Sequence, residues 1–355
     1  MITNKTKINI IAEVGVNHNG SINLAKKLIK SAKKSGADFV KFQNWKAEDL
    51  VTENADMANY QIKNTKKNIK QLDLLKPLEL SKKNYYEIEN FAKKNRIKFL
   101  SSPFDEKSFE FLANKINSKI IKIPSGEINN YLMLSKVKLN KHKILLSTGM
   151  STLKEITNTL NFIAKNKIYH FKNGKVKINN KKKIKYLRKK ICILHCVTDY
   201  PVNEEFANLR AIQTLSKSFQ LPVGYSDHTL GTCAPLIAVS LGSVFIEKHI
   251  TLDKNLAGPD HKASLTPPEF KEMVQMIRSF EKMFGNGIKK PQKCENKNIK
   301  VAKKSIVARK KIKKGELFTI NNITVKRPAG GKNPSLFFKI LGKKAKKNYM
   351  KDQKI

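Results

Sequence analysis

The chain has 355 residues, of which 40% are apolar, and its 71 basic and 28 acidic residues give a net charge of +43. This length predicts two domains, or one large domain with a small module, and the apolar content excludes a disordered chain. No apolar run reaches the ~20 residues of a membrane-spanning helix. Residues 1–7, Met-Ile-Thr-Asn-Lys-Thr-Lys, lead directly into a strand-like segment rather than the apolar core of a signal peptide. We therefore expect no signal peptide, no membrane partner and a cytoplasmic location.

The high positive charge invites a nucleic-acid interpretation, which the residue types do not favour. Only six of the basic residues are arginine, and the lysines are dispersed along every segment. Specific readers of nucleic acid rely on the bidentate arginine fork, so we expect no specific nucleic-acid partner. The four cysteines form no Cys-x-x-Cys pair, which predicts reduced thiols.

The chain alternates short β-branched runs with amphipathic stretches of helical length. Eight such runs occur by about residue 285: Ile8–Val14, Asp38–Gln43, Lys98–Pro103, Ile120–Ser125, Lys143–Thr148, Ile191–Val197, Pro222–Asp227 and Val244–Ile250. An open doubly wound sheet usually has five or six strands, whereas eight match a (β/α)₈ TIM barrel. We therefore predict an α/β barrel over residues 1–285.

Two segments interrupt this rhythm. Residues 165–190 carry a dense run of lysines before the sixth strand and predict an exposed, mobile basic insertion. Residues 286–298 contain glycine, proline and polar residues, typical of a linker. Residues 299–355 contain short strand-like pieces, at 305–308, 316–320 and 323–325, between turn signals. We predict a small β-rich second domain there, too small to be very stable without docking on something.

Polar residues end all eight predicted strands, at the face where TIM barrels build active sites. Lys41 and Lys122 lie inside apolar strands, where a buried cation needs an anionic partner. With Ser102, Ser125, Ser147 and Ser226 they outline a cradle of cations and hydroxyls suited to a phosphate or phosphorylated carboxylate. Alternatively, the lysines point outward between the helices, or pair with Glu13 or Glu127.

Two histidines close adjacent strands. Alternation along a strand places Ser226 with His228, and Glu247 with His249, on shared faces. Two imidazoles beside carboxylates suit a divalent metal with open coordination positions. A hydrogen-bonded histidine–carboxylate relay would use the same residues.

The strand ends carry strings that closely resemble the sialic acid synthase family, in family order over nearly the whole chain outside 165–190. They are Ile11–Gly20, Val40–Gln43, Ser102–Phe104, Lys122–Glu127, Leu146–Met150, Leu194–Cys196, Ser226–Thr229, Glu247–His249 and Gly258–His261. Val325–Pro328 resembles that family's antifreeze-like (SAF) domain, a β-clip fold. The resemblance implies a TIM barrel followed by a SAF domain.

The resemblance also implies a transferase reaction, in which phosphoenolpyruvate condenses with an N-acetylated hexosamine to give a nine-carbon 2-keto acid and phosphate. The residues that it assigns to phosphoenolpyruvate are Lys41, Ser102, Lys122, Ser125, Ser147, Thr198 and Ser226. Thr198 stands where some members have an asparagine. Glu13 and Glu127 would handle protons or orient water, and Glu247 completes the catalytic set with the two histidines.

Further expectations concern the metal, the sugar and the assembly. His228 and His249 would hold a divalent metal, Mn²⁺ in the first place with Mg²⁺ or Co²⁺ as alternatives, to polarise the sugar aldehyde. Gln43, Tyr200 and Asp260 match positions that contact the sugar. Arg327 of one subunit would reach the N-acetyl group in the partner's barrel, which implies a domain-swapped homodimer.

The acceptor sugar stays open at this point. N-acetylmannosamine, giving N-acetylneuraminate, is the first interpretation. Long insertions before the sixth strand occur among N,N′-diacetyllegionaminate synthases, which makes 2,4-diacetamido-2,4,6-trideoxymannose the alternative. A 2-keto-3-deoxy sugar acid phosphate synthase is a further alternative. Such enzymes need extra cations near the acceptor for a second phosphate, whereas Gln43, Tyr200 and Asp260 suit a neutral sugar.

Overall fold

The computed structural model describes residues 7–355. Residues 1–6, on which the expectation of an N-terminus without a signal peptide largely depends, lie outside the described residues. The chain forms two compact units that divide between Asn286 and Gly287. Among the helices in the described part, none combines the length and apolarity needed to cross a membrane.

The eight predicted barrel strands are all present. Together with four further strands, the described residues form twelve: β1 (Asn9–Gly15), β2 (Phe39–Asn44), β3 (Lys98–Pro103), β4 (Ile120–Ile123), β5 (Lys143–Ser147), β6 (Tyr169–Lys172), β7 (Lys175–Ile178), β8 (Ile191–His195), β9 (Val223–Asp227), β10 (Phe245–His249), β11 (Ser305–Ala308) and β12 (Ile323–Lys326). Eight of them form a parallel sheet in the order β3-β2-β1-β10-β9-β8-β5-β4. The two ends of this order, β3 and β4, lie side by side, which nearly closes the sheet and confirms the TIM-barrel prediction.

The described residues also form fourteen α-helices, the last two of which lie in the C-terminal unit. They are α1 (Ile22–Lys34), α2 (Ala47–Leu50), α3 (Asn59–Thr65), α4 (Gln71–Leu75), α5 (Lys82–Lys94), α6 (Glu106–Glu110), α7 (Tyr131–Leu134), α8 (Leu153–Ile163), α9 (Lys181–Lys190), α10 (Ala211–Phe219), α11 (Cys233–Ser240), α12 (Pro267–Met283), α13 (Asn296–Ala302) and α14 (Phe337–Ile340). In α1, Ala25, Leu28, Ile29 and Ala32 are buried, which is the stripe of an amphipathic helix. Thr152 and Thr266 begin α8 and α12 with capping boxes, which satisfy the first free N–H groups.

The basic insertion at 165–190 folds into regular elements, although most of its residues are exposed. Strands β6 and β7 pair as an antiparallel hairpin, and α9 leads back into the barrel at β8. Ile168, Tyr169, Ile184 and Leu187 are buried in the main core, while most of the lysines are exposed. These buried residues could not be recognised from the sequence, because they are few, unevenly spaced and surrounded by lysines.

The C-terminal unit, Gly287–Ile355, has its own small core. Strands β11 and β12 pair in antiparallel register, with Ile306 opposite Val325. The core contains Ile306, Ala308, Ile312, Phe318, Ile323, Ile340, Ala345, Tyr349 and Ile355. The expected strand at 316–320 is reduced to one bridge between Leu317 and Lys344, because Asn322 accepts a hydrogen bond from the backbone of Thr319 and turns the chain. Helix α13 begins at Asn296 and therefore includes the last three residues of the predicted linker, 286–298.

Candidate active site

The side chains that point into the barrel change from apolar to polar over two residues along each strand. Ile11, Phe39, Leu100, Leu145 and Leu194 belong to an apolar layer inside the barrel. Because side chains two apart share a face of a strand, the next inward positions stack above this layer. They are Glu13, Lys41, Ser102, Lys122, Ser147, Cys196, Ser226 and Glu247. This alternation positions a polar floor at the carboxyl ends of the strands.

A cavity of about 340 Å³ lies above the polar floor. The structure brings fourteen of the sixteen predicted site residues to its wall: Glu13, Lys41, Gln43, Ser102, Lys122, Ser125, Glu127, Thr198, Tyr200, Ser226, His228, Glu247, His249 and Asp260. Ser147 is buried, and its hydroxyl has no hydrogen-bond partner in the described part of the chain. Its side chain does not line the cavity. Arg327 is exposed and belongs to the C-terminal unit.

Lys122 and Glu247 form a buried ion pair on the floor. Lys122 Nζ donates to Glu247 Oε1 at 2.5 Å, and Ser226 Oγ donates to the same oxygen at 2.7 Å. Burial raises the pKa of Glu247, but the charges of Lys122 and Lys41 outweigh it and hold the pKa at about 2. Burial lowers the pKa of Lys122, and Glu247 more than compensates, so this pKa is raised. The pair is therefore ionised at neutral pH.

Lys41 and Glu13 form a second pair with a different balance. Lys41 Nζ lies 2.8 Å from Glu13 Oε2 and donates to Ser102 Oγ at 3.2 Å, while Gln43 Nε2 donates to Glu13 Oε1 at 3.0 Å. Here burial dominates: it raises the pKa of Glu13 and lowers the pKa of Lys41, against the attraction between them. Burial therefore brings this pair closer to its neutral form, so it can exchange a proton more easily than Lys122 and Glu247.

Of the alternatives left open for the lysines, the outward orientation is wrong and the pairing with a glutamate is partly correct. Lys41 and Lys122 point into the barrel, and both pair with glutamates, but the partner of Lys122 is Glu247 and not Glu127. Glu127 instead accepts from Asn130 Nδ2 at 2.7 Å, and burial raises its pKa. An incoming anion can replace either glutamate as the partner of a lysine that is already in place.

The two histidines meet at the rim of the cavity. Their ring centroids lie 5.7 Å apart, and the ring of Tyr200 lies 4.1 Å from His228. His228 Nδ1 donates to the carbonyl of Val197 at 2.6 Å, which leaves Nε2 free of its proton when the ring is neutral. Burial lowers the pKa of His228 to about 4 and that of His249 well below its ordinary value. Both rings are therefore neutral, as metal ligands must be.

These histidines fit a bound metal ion, although they do not form a complete site. His249 Nδ1 is buried without a hydrogen-bond partner and lies 3.8 Å from Asp260 Oδ2. Within residues 7–355, no group of three or more histidine, cysteine or acidic side chains is arranged to hold a metal. Two imidazole ligands would leave the other positions for water or substrate, which is typical of a catalytic ion.

A close-packed corner joins three strand ends beside Lys122. The Gly149 N–H donates to Ser125 Oγ at 3.1 Å and to Cys196 Sγ at 3.2 Å. A Cβ at Gly149 would lie 2.5 Å from Thr198 Oγ1 and 2.9 Å from Ser125 Oγ, so only glycine fits. The hydroxyl of Thr198 is buried without a partner. This corner offers hydroxyl groups to an anion held by Lys122.

Sequence reasoning missed the part of the cavity built by residues 45–78. Tyr60 packs against Tyr200 with the ring centroids 4.8 Å apart, and Asn64 Nδ2 donates to the carbonyls of Tyr200 and Pro259 at 2.9 and 2.7 Å. Apolar residues of the same segment form the remaining wall: Trp45, Leu50, Val51, Leu75 and Leu78. Short helices at irregular intervals gave no periodic signal, so only the tertiary structure reveals this wall.

Known proteins match the chain along almost its whole length. The N,N′-diacetyllegionaminic acid synthase of Campylobacter jejuni is 50% identical over 347 residues, 98% of this chain and 98% of that protein. The enzyme of the same name from Legionella pneumophila is 41% identical and covers 96% of this chain and 90% of that protein. Both alignments therefore extend over the barrel and the small C-terminal unit of this chain.

A solved structure and two family models agree with these relatives. The sialic acid synthetase of Leptospira borgpetersenii, crystallised with citrate, aligns with a TM-score of 0.67 at 32% identity, over 82% of this chain and 90% of that one. A SAF domain model matches residues 303–353, and the NeuB family model matches residues 28–289. The chain is therefore a member of the NeuB family, with a SAF domain after its barrel.

Proposed function

We propose that the protein is an N,N′-diacetyllegionaminate synthase, which condenses phosphoenolpyruvate with 2,4-diacetamido-2,4,6-trideoxymannose and releases phosphate. As a member of a family of synthases, the chain is an enzyme of the transferase class. The observation that carries the chemistry is the pair of buried lysines facing hydroxyls and two neutral imidazoles in one cavity. For the sugar, the diacetyllegionaminate relatives support the alternative acceptor over N-acetylmannosamine.

Phosphoenolpyruvate would bind on the polar floor. Lys122, with Ser125 and Thr198 beside it, and Lys41, with Ser102, offer two cationic positions for its phosphate and carboxylate. Each lysine is held in place by a glutamate before substrate arrives. Such preorganised charges stabilise developing negative charge without further reorganisation. Ser226 and Ser147 would support this site from the neighbouring strands.

The reaction joins C3 of phosphoenolpyruvate to the aldehyde carbon of the open-chain sugar. The electron pair of the aldehyde bond moves to its oxygen, which takes up a proton and becomes a hydroxyl. Water adds at C2 and gives up one proton. The C2–oxygen bond to phosphate then breaks, phosphate leaves with the bonding electrons, and the C2 hydroxyl loses its second proton to become the keto group. Glu13, whose pKa is raised by burial, and Glu127 are the groups in the cavity that can hold these protons.

A divalent cation, Mn²⁺ with Mg²⁺ or Co²⁺ as alternatives, would be held by His228 and His249. When bound, it acts as a Lewis acid on the aldehyde oxygen. Gln43, Tyr200 and Asp260 would orient the sugar, and burial raises the pKa of Asp260 to about 7, so this carboxyl can donate as well as accept near neutral pH.

We further propose a domain-swapped homodimer, in which Arg327 of one subunit contacts the N-acetyl group in the other subunit's cavity. Exposure of Arg327 in a unit with only a small core supports this assembly. A cytoplasmic location is supported by the four free cysteines, since thiols persist in a reducing compartment.

The test is phosphate release from phosphoenolpyruvate with Mn²⁺, offering the diacetamido sugar and N-acetylmannosamine in parallel, each with and without EDTA. We expect metal-dependent release with the diacetamido sugar and a product of the matching mass. Preference for N-acetylmannosamine would reassign the product to N-acetylneuraminate. Silence with both sugars would contradict the proposed function.

A further inference from the structure

The geometry points to one wall of the cavity, formed by Leu50, Val51, Leu75 and Leu78, as the determinant that selects an acceptor with a methyl group at C6. We call it the apolar wall. The inference rests on the proposed function and adds to it the residues that distinguish a 6-deoxy sugar from a 6-hydroxy sugar.

The apolar wall belongs to one cluster in the segment between β2 and α5. Leu75 and Leu78 are buried, Leu50 and Val51 are half-buried, and all four line the cavity. Trp45 lines the cavity beside them and contacts the ring of Phe104 edge-on at 5.6 Å. The wall is therefore held by its own packing, independently of a ligand.

The polar floor fixes which end of the sugar reaches the apolar wall. Lys41, Lys122 and the two histidines mark the position of the reacting carbons, so the aldehyde end of the acceptor must lie there. Among the described residues, these two lysines are the only lysine or arginine side chains that line the cavity. A phosphate at the far end of the acceptor would find no cation from the same subunit, which argues against a phosphorylated sugar.

A hydroxyl at C6 would also be disfavoured against the apolar wall. Burying a hydroxyl without a hydrogen-bond partner costs free energy, whereas burying a methyl group is favourable. The polar residues of the same segment that line the cavity are Tyr60, Gln61 and Gln71. Gln61 Oε1 accepts from the Ala58 N–H at 2.9 Å, and Tyr60 packs on Tyr200. They remain available for the acetamido groups.

The experiment compares kcat/KM for N-acetylmannosamine and its 6-deoxy analogue, a pair that differs only at C6. We expect the natural chain to prefer the 6-deoxy sugar by about 100-fold, the range that an apolar pocket achieves against an added hydroxyl. Val51→Thr keeps the side-chain shape and adds a hydroxyl to the wall, so this preference should fall by about tenfold. Val176→Thr, in the β6–β7 hairpin, is the matched control and should leave the preference unchanged.

The ratio of kcat/KM for the two sugars is measured on one enzyme, so partial loss of folded protein does not change it. Thermal unfolding of each variant checks independently that the variant is folded. If Val51→Thr does not fold, Leu50→Asn supplies the same comparison from the half-buried edge of the wall. Equal kcat/KM for the two sugars in the natural chain, or an unchanged preference in the folded variants, would overturn the inference. Inactivity of the natural chain with these sugars and with the diacetamido sugar would instead contradict the proposed function itself.

Discussion

Lys122 Nζ donates to Glu247 Oε1 at 2.5 Å across 125 residues of sequence, and both side chains are almost completely buried. This contact joins β4 to β10 through the middle of the barrel. It keeps a cation in place on the floor without substrate, at the cost of burying two charges that depend on each other.

Replacing Lys122 with Met should abolish turnover and also destabilise the barrel. The change leaves the Glu247 carboxylate buried without its main partner, which costs about 3–5 kcal/mol. Urea unfolding and phosphate release measure the two effects. In Lys122→Met combined with Glu247→Leu, stability should recover while activity stays absent. Lys136→Met, which breaks an exposed pair with Glu110, is the control and should change stability by less than about 1 kcal/mol.

His249→Ala should remove metal-dependent turnover and leave the fold intact. The variant loses one of the two imidazoles that would hold the cation, so Mn²⁺ binding by calorimetry and phosphate release should decline together. His170→Ala, on the exposed face of β6, should behave like the natural chain. Normal Mn²⁺-dependent activity in His249→Ala would end the metal assignment.

Arg327→Ala should raise the KM for the sugar with little change in kcat, since the side chain is proposed to contact only the N-acetyl group. Arg309→Ala, also in the SAF domain and exposed, is the control. Mixing inactive His249→Ala subunits with Arg327→Ala subunits provides a sharper test. A swapped dimer would regain one intact site per hybrid, whereas sites built from a single chain would show no gain.

Asp38→Asn should make stability less dependent on acid pH. Burial would raise the pKa of Asp38, but hydrogen bonds from Lys7 and the Ile10 N–H, with the charge of Arg278, outweigh it and lower this pKa. A lowered pKa stabilises the fold above the unfolded-state value of about 4, and this contribution disappears as pH falls through the folded-state value. Natural and variant chains should therefore differ by about 1–3 kcal/mol at pH 7 and converge once the pH falls below the folded-state pKa of Asp38.

Thermal or urea unfolding across this pH range checks the Asp38 prediction. Asp352→Asn is the control, because Asp352 pairs with Lys326 on the surface of the C-terminal unit, where such pairs contribute little. A constant difference between the natural chain and Asp38→Asn from pH 7 to pH 3 would show that the charge of Asp38 does not stabilise the barrel.

The barrel and most of the floor could be predicted because each depends on a local rule. Strand alternation fixes that Lys41 and Lys122 point inward once the strands are placed, and the parallel sheet brings the strand ends together. The pairing of Lys122 with Glu247 could not be predicted, since Glu127 is nearer in sequence and only the three-dimensional register decides between them. The buried pair of Lys248 and Asp227 was missed for the same reason.

The parts that sequence reasoning missed lie in irregular segments. Short helices between β2 and α5 carry Tyr60 and the apolar wall, and no periodic pattern announces them. The same segment carries the proposed choice of sugar, so the first interpretation of the acceptor had no physical signal to use. Tyr169 shows the same effect in the insertion, where a few buried residues among many lysines decide the fold.

The ladder between β1 and β10 places Glu13 beside His249. These strands are the first and last of the barrel, and their pairing is the most distant in sequence. Contacts between remote segments form late, because the chain entropy of a long loop must be lost first. Refolding should therefore restore helix content before catalysis, and the return of phosphate release would time the closure of the barrel.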